Sequence, residues 1–353
     1  MGTTLGQLGK LERAWECNRQ ARFVLQEEAI MRILSLLPSA TEIVYALGCG
    51  DSLVGVSHEC DYPEEAKTKP IVSTSSLSTQ LGSGEIHSKV SAHHHSNHSL
   101  YRIDEQLLQR IDPDVILTQE LCTVCAIPVA QVRDAARILA GPRCVVSLEP
   151  NNLHQILDNI SAVAEVTSRQ TAAYELVRSL ENRIAHILSV AARAVERPRV
   201  FCMEWMDPPM AGGHWIPEMV RIAGGTDGLG REGKSSTVIE WDQVLVFTPQ
   251  IVVIMPCGYK IPRTVKEIDR LASLPGWYEL PAVRDGRVYV VDSPAYFSRP
   301  GPRIVNGLEI LAQIIQPTMF SGFIPPHSAV KLEWDHSRPL ESQRMSERFV
   351  PLI

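Results

Sequence analysis

The chain has 353 residues, a hydrophobic fraction of 44% and a formal net charge of −6. That length accommodates two domains of ordinary size with sizeable cores, and the negative balance argues against a broad nucleic-acid footprint. Eight cysteines in so long a chain make no disulfide scaffold, and no apolar run reaches the roughly 20 residues that a membrane span needs.

Residues 1–30 read as an N-terminal extension. Arg13, Glu16, Arg19, Arg22, Glu27 and Glu28 interrupt each apolar core that a secretory signal would need. Gly6 stands where a myristoylation site wants Ser or Thr. With cysteines placed at strand ends as reduced thiols, this composition predicts a cytoplasmic protein.

An N-terminal α/β lobe is expected over residues 31–150. A strand at 32–37 runs into a helix at 40–47, with Ser39 as its N-cap and Gly48 as its stop. Strands follow at 53–57 and 70–73. Residues 74–99 are polar and rich in Ser and His, a loop with a helical turn near 85–90. Asp104 caps a helix ending near Ile111, and then come a strand at 114–118, a helix at 129–139 and a strand at 143–148. Such alternation gives an α/β fold with a mainly parallel sheet.

Connecting helices are expected over 151–196. No Gly or Pro stands between Asn152 and Arg197, and Ile156, Ile160, Val163, Leu176, Leu180, Ile184 and Ile187 suit one helical face. A break near 167–168 leaves a long helix at about 172–194, roughly 35 Å at about 1.5 Å per residue, as a rigid connector. A C-terminal α/β lobe over 197–317 repeats the pattern, with strands at 198–203, 250–255 and 287–292. Its helices are expected at 215–222, 239–247, 264–271 and 302–315. The tail, 318–353, carries Pro325-Pro326 and many charges, and is expected to be mostly irregular and strapped to the surface.

Ligands of open parallel sheets bind beyond the carboxyl ends of the strands, and four strand ends here carry chemistry. The strand ending near Thr118 leads to Glu120, Cys122 and Cys125. Two thiols at that spacing chelate zinc, shuttle between dithiol and disulfide, or simply pack as buried thiols. The strand ending at Ser57 leads to His58, Glu59, Cys60 and Asp61, a loop able to ligate a transition metal together with other loops, or to form a turn before Pro63. Cys257 follows the strand ending at Met255. The strand ending at Met203 leads to the fourth set, Glu204, Trp205, Asp207, His214 and Trp215, the leading ligand site: indole faces cover a flat conjugated ligand, while Glu204 and His214 supply polar or metal-directed contacts. Tyr296, Phe297, Ser298 and Arg299 form an opposite rim, where Arg299 or Arg303 can hold a carboxylate. His93, His94, His95 and His98 lie in a polar stretch without helix or strand period, and read as exposed.

Several stretches resemble the solute-binding proteins of ABC importers for cobalamin and iron-siderophores: Ser35-Leu-Leu-Pro-Ser-Ala-Thr-Glu42, Val54-Gly-Val-Ser57, Pro113-Asp-Val-Ile-Leu117, Pro249-Gln-Ile-Val-Val253 and Pro302-Arg-Ile304. The branch of cobalamin-binding proteins carries versions of the C-D-Y-P, L-C-x-V-C-A, E-W-x-D-P, G-H-W-x-P-E and Y-F-S-R-P-G-P-R stretches found here, over about residues 31–317. The resemblance implies two α/β lobes joined by a long helix, with a small molecule held in the cleft: a corrinoid, a tetrapyrrole-like molecule or a metal chelate, with a transition metal such as zinc as a further candidate. Family members carry an export signal and serve a membrane transporter. Residues 1–30 do not read as such a signal, which leaves a transporter partner in doubt. The contrasting reading is an enzyme in which Cys122, His58 or His214, and Glu120 or Glu204 act as nucleophile, base and orienter.

Overall fold

The computed structural model describes residues 31–77, 81–94, 100–119, 129–141, 143–335 and 337–352. The chain forms two α/β lobes. Among the described residues, the N-terminal unit comprises 31–77, 89–94, 100–119, 129–141, 143–150 and 154–179, and the C-terminal unit comprises 81–88, 151–153, 180–335 and 337–352.

In the N-terminal unit, strands β1 (Ile33–Ser35), β2 (Leu53–Val56), β5 (Val115–Thr118) and β6 (Cys144–Ser147) form a parallel sheet in the order β2-β1-β5-β6. Its central strands β1 and β5 are buried throughout, as expected of near-continuous apolar runs covered on both faces. A separate antiparallel pair joins β3 (Ser73–Ser75) to β4 (Tyr101–Ile103). The first helix, Pro38–Ala46, starts one residue before Ser39. Pro38 occupies the first helical positions, where its missing N–H costs nothing, and Ser39 is not the cap. Asp104 does cap the helix Glu105–Ile111, accepting from the Leu107 N–H at 2.9 Å.

The polar stretch expected to be mainly loop contains a 12-residue helix, Ser83–His94. It has no long apolar stripe for a sequence pattern to reveal. Ile86 packs on the core of the C-terminal unit and Val90 on that of the N-terminal unit. The helices Leu153–Thr167 and Gln170–Ala191 break at Ser168, whose φ is +55°. The second has 22 residues, about 33 Å of helix, and the division between the units falls within it.

In the C-terminal unit, β7 (Val200–Met206), β12 (Ile251–Ile254) and β13 (Val288–Val291) are parallel and fully apolar at their centres. Antiparallel strands extend this sheet on both sides: β8 (Pro209–Ala211) and β11 (Thr237–Val238) on one, β14 (Ala329–Leu332) and β15 (Phe349–Pro351) on the other. The short strands β9 (Gly213–His214) and β10 (Arg231–Glu232) pair separately. Two expectations are corrected here. First, β7 continues through Glu204 and Trp205, because β8 folds back to pair with it across the cis Asp207–Pro208 bond. Second, the tail supplies two strands, and its Trp334 and Met345 enter the main core. The open edge of β13 gives these residues backbone partners that a local reading cannot see.

Candidate functional site

The C-terminal unit gathers most of the leading residues around the β7–β8 hairpin and β9. Glu204, on β7, accepts from the Gly213 N–H through Oε1 at 3.4 Å and from the Ser236 hydroxyl through Oε2. Its carboxylate thus ties β7 to β9 and positions the next residue, His214. A side chain on Gly213 has no room: a Cβ there would lie 2.4 Å from the Ser236 nitrogen and 2.5 Å from the Lys234 oxygen. His214 adopts a left-handed backbone at φ +50°. Its N–H donates to the Lys234 carbonyl at 2.6 Å, and its carbonyl accepts from the Gly233 N–H at 2.8 Å. The ring nitrogen Nδ1 lies 3.3 Å from Asn151 Oδ1, and the imidazole stacks on Trp215 with centroids 5.5 Å apart.

Trp215 and Phe297, expected to present faces to a ligand, are interior instead. The Trp215 indole N–H donates to the Phe297 carbonyl at 2.8 Å, and both side chains are buried. Their apolar bulk makes a base for His214 and for the 296–299 segment. Tyr296 and Arg299 remain half-buried. Arg299, with Lys260 and Arg303, opposes the rise that burial imposes on the Asp292 carboxyl.

Trp205 and Asp207 serve a different contact from the one expected. The Trp205 indole N–H donates to the Ser83 and Asp207 carbonyls at 3.2 and 3.1 Å, and its ring meets Tyr259 edge-on at 5.3 Å. Asp207 pairs with Arg270. The Ser83 N–H donates to Glu267 at 2.9 Å, and Arg263 donates to the Leu81 carbonyl at 3.0 Å. These groups dock residues 81–88 onto the C-terminal unit. Asn151, Ser236, Tyr259, Arg263, Glu267 and Arg270 were absent from the sequence-derived set. None stands in a motif, and long-range pairing alone recruits them.

In the N-terminal unit, His58 and Cys60 turn to different neighbours. His58 Nδ1 lies 2.8 Å from the Ser73 hydroxyl, and its ring lies 5.5 Å from that of Tyr101. The Cys60 sulfur accepts from the Thr41 hydroxyl at 3.0 Å and lies 3.2 Å from Ser57 Oγ. At 5% exposure it sits within a buried hydroxyl cluster. Among the described residues, no three His, Cys, Asp or Glu side chains are grouped as a metal would require. Cys257, half-buried in the C-terminal unit, donates its backbone N–H to the Glu204 carbonyl at 3.2 Å. Burial, reinforced by Asp227 and Glu204, pushes the Cys202 thiol well up, so it stays protonated. Glu120, Cys122, Cys125, His95 and His98 lie outside the described residues. Cys144 is disulfide-bonded, unlike the reduced thiol expected there.

Burial lowers both His58 and His214 from the ordinary imidazole value, with Glu59 opposing the shift at His58. The fold therefore favours the neutral form of both rings. Their stabilisation is complete above about pH 6.5 and is lost as the pH falls through that value, because the unfolded chain takes up protons that the folded chain refuses. Asp227 acts with the opposite sign. Burial raises its carboxyl against the Gly230 and Leu229 N–H groups, so its contribution is lost as the pH rises through the ordinary Asp value. The melting temperature is expected to fall between about pH 7.5 and about pH 5.5, and by less in His58→Gln. An equal fall in that variant would remove His58 as a source.

Comparison with known proteins follows the same lines. The pattern of the periplasmic binding protein family matches residues 33–295. The uncharacterized ABC transporter substrate-binding lipoprotein YvrC of Bacillus subtilis is 26% identical over 295 residues, 82% of this chain and 81% of that protein. A vitamin B12-binding protein of Vibrio cholerae is 24% identical over 283 residues, 79% of this chain and 86% of that protein. Among solved structures, the periplasmic heme-binding protein of Roseiflexus sp. RS-1 in its apo form superposes with a TM-score of 0.61 at 22% identity, covering 82% of this chain and 100% of that one. The periplasmic vitamin B12 binding protein of Vibrio cholerae gives 0.59 at 22% identity, covering 81% and 96%. Both structural likenesses bear on the fold: two α/β lobes and a long connector helix. With the family pattern running from β1 to the residues just beyond β13, this chain belongs to the periplasmic binding protein family.

Proposed function

We propose that this chain binds a corrinoid or a closely related metal-bearing tetrapyrrole, held against the C-terminal unit at His214. The carrying observation is the construction around Gly213. Its N–H is tied to the Glu204 carboxylate, and the residue after it presents an imidazole braced by Asn151 and Trp215. Glu204 positions in this reading, and His214 contacts. Relatives named for vitamin B12 and heme binding support this ligand class.

The test is an equilibrium titration of the full chain with aquocobalamin and, separately, with ferric heme, followed by tryptophan quenching and visible absorption. Saturable binding of one of them is expected. Glu204→Ala, which releases both the Gly213 N–H and the Ser236 hydroxyl, is expected to bind on the order of 10-fold more weakly with an unchanged far-UV spectrum. Failure of both rings to bind the parent protein rejects the reading.

A further inference from the structure

We infer that His214 Nε2 is an axial ligand, binding the metal ion at the centre of the ring through an exchangeable coordination position. This rests on the tetrapyrrole reading above and adds the atom that selects among such rings.

The tautomer follows from the hydrogen bond. Asn151 Oδ1 is a carbonyl oxygen and can only accept, so the Nδ1 that lies 3.3 Å from it carries the proton. Nε2 then holds the lone pair, the form in which imidazole ligates metals. An N–H anchored to an acceptor on the far side of the ring is also how metal-ligating histidines are oriented, and it makes the ligating nitrogen more basic.

The backbone supplies a second, independent observation. His214 is not glycine, yet it is held at φ +50° by hydrogen bonds at 2.6 and 2.8 Å on its two sides. Residues in that region persist where the surroundings over-determine them, and they cluster at ligand clamps. Trp215 closes one face of the ring and is itself anchored to the Phe297 carbonyl. The imidazole is therefore fixed at its backbone, at one nitrogen and on one face. His58 makes the contrast. Its Nε2 is buried and without a hydrogen-bond partner, closed off from any bulky ring.

The step itself is a ligand exchange. The Nε2 lone pair forms a bond to the metal, a coordinated water leaves, and the metal keeps its oxidation state. A ring whose axial position is blocked, or which lacks a metal, gains nothing from Nε2.

The experiment compares paired rings on the full chain: aquocobalamin against cyanocobalamin, and ferric protoporphyrin against metal-free protoporphyrin. For whichever ring binds, the exchangeable metal form is expected to bind on the order of 10-fold more tightly than its partner, with a shift of its visible absorption band. His214→Ala is expected to equalise the pair and abolish the shift, and added imidazole to restore it. Should His214→Ala fail to fold, Asn151→Ala provides the second reading: the ring loses its anchor and the ratio drops several-fold. Equal binding of both partners without a shift overturns the inference while leaving the tetrapyrrole reading in place. A shift retained in His214→Ala, or a ratio unchanged in Asn151→Ala, also overturns it. Binding of neither ring in any form sinks both.

Discussion

Replacing Gly213 with alanine is expected to weaken binding of the proposed tetrapyrrole by about 100-fold while leaving the chain folded. The added Cβ would stand 2.4, 2.5 and 2.7 Å from the Ser236 nitrogen, the Lys234 oxygen and the Ser235 carbonyl carbon. All three are backbone atoms, so no side chain can swing away to make room. β9 must move, and the two groups attached to it move too: the N–H that meets Glu204 and the braced ring of His214. A displacement of about 1 Å in a positioning element typically costs about 100-fold in a geometry-dependent step, and a loss of that order is expected in the titration. Overpacking of this kind costs about 1–3 kcal/mol, within the about 5–15 kcal/mol that holds a domain folded. The decisive pair of measurements is ring affinity and a urea unfolding curve on the same sample. Parent-like affinity in Gly213→Ala would show that β9 does not position the ligand.

The second large effect concerns stability. Trp334→Ala is expected to destabilise the protein by about 3–5 kcal/mol, the usual range for deleting a buried Trp or Phe side chain. Trp334 is 7% exposed and packs into the core of the C-terminal unit, and its indole N–H donates to the Val283 carbonyl at 2.6 Å. Its removal leaves a cavity and takes one of two donors from the Val283 carbonyl, which keeps the Gly286 N–H at 3.2 Å. Val195→Ala, at a fully exposed position, is the control and should change stability by no more than about 0.5 kcal/mol. If Trp334→Ala costs as little as that control, the tail beyond residue 317 is a surface strap and not a part of the lobe.

Much of the architecture was written in the local sequence, for identifiable reasons. The parallel strands are buried on both faces, so Ile251-Val-Val-Ile254 and Val115-Ile-Leu117 stand out as unbroken apolar runs. The connector helix shows itself by a face of apolar residues and by the lack of Gly or Pro, because helical periodicity and helix breakers are both properties of neighbours in the chain. Glu204 and His214 were legible as chemistry, from residue type and from their place near a strand end.

What those residues touch was settled only by folding. Asn151 reaches His214 across 63 residues, and Ser236 reaches Glu204 across 32. Contacts of that kind leave no periodic trace. The same holds for Trp205, whose indole N–H meets the Ser83 carbonyl 122 residues away, and for Trp215, buried against Phe297 where a ligand-facing surface was expected. The tail strands are the clearest case. Ala329 and Leu332 in β14, and Phe349 in β15, are too sparse among polar residues to signal a strand pair. They pair because β13 offers an edge, and Trp334 and Met345 fill the apolar core beside it. Strand preference is largely a measure of what a residue packs against, and here the packing partner lies elsewhere in the chain.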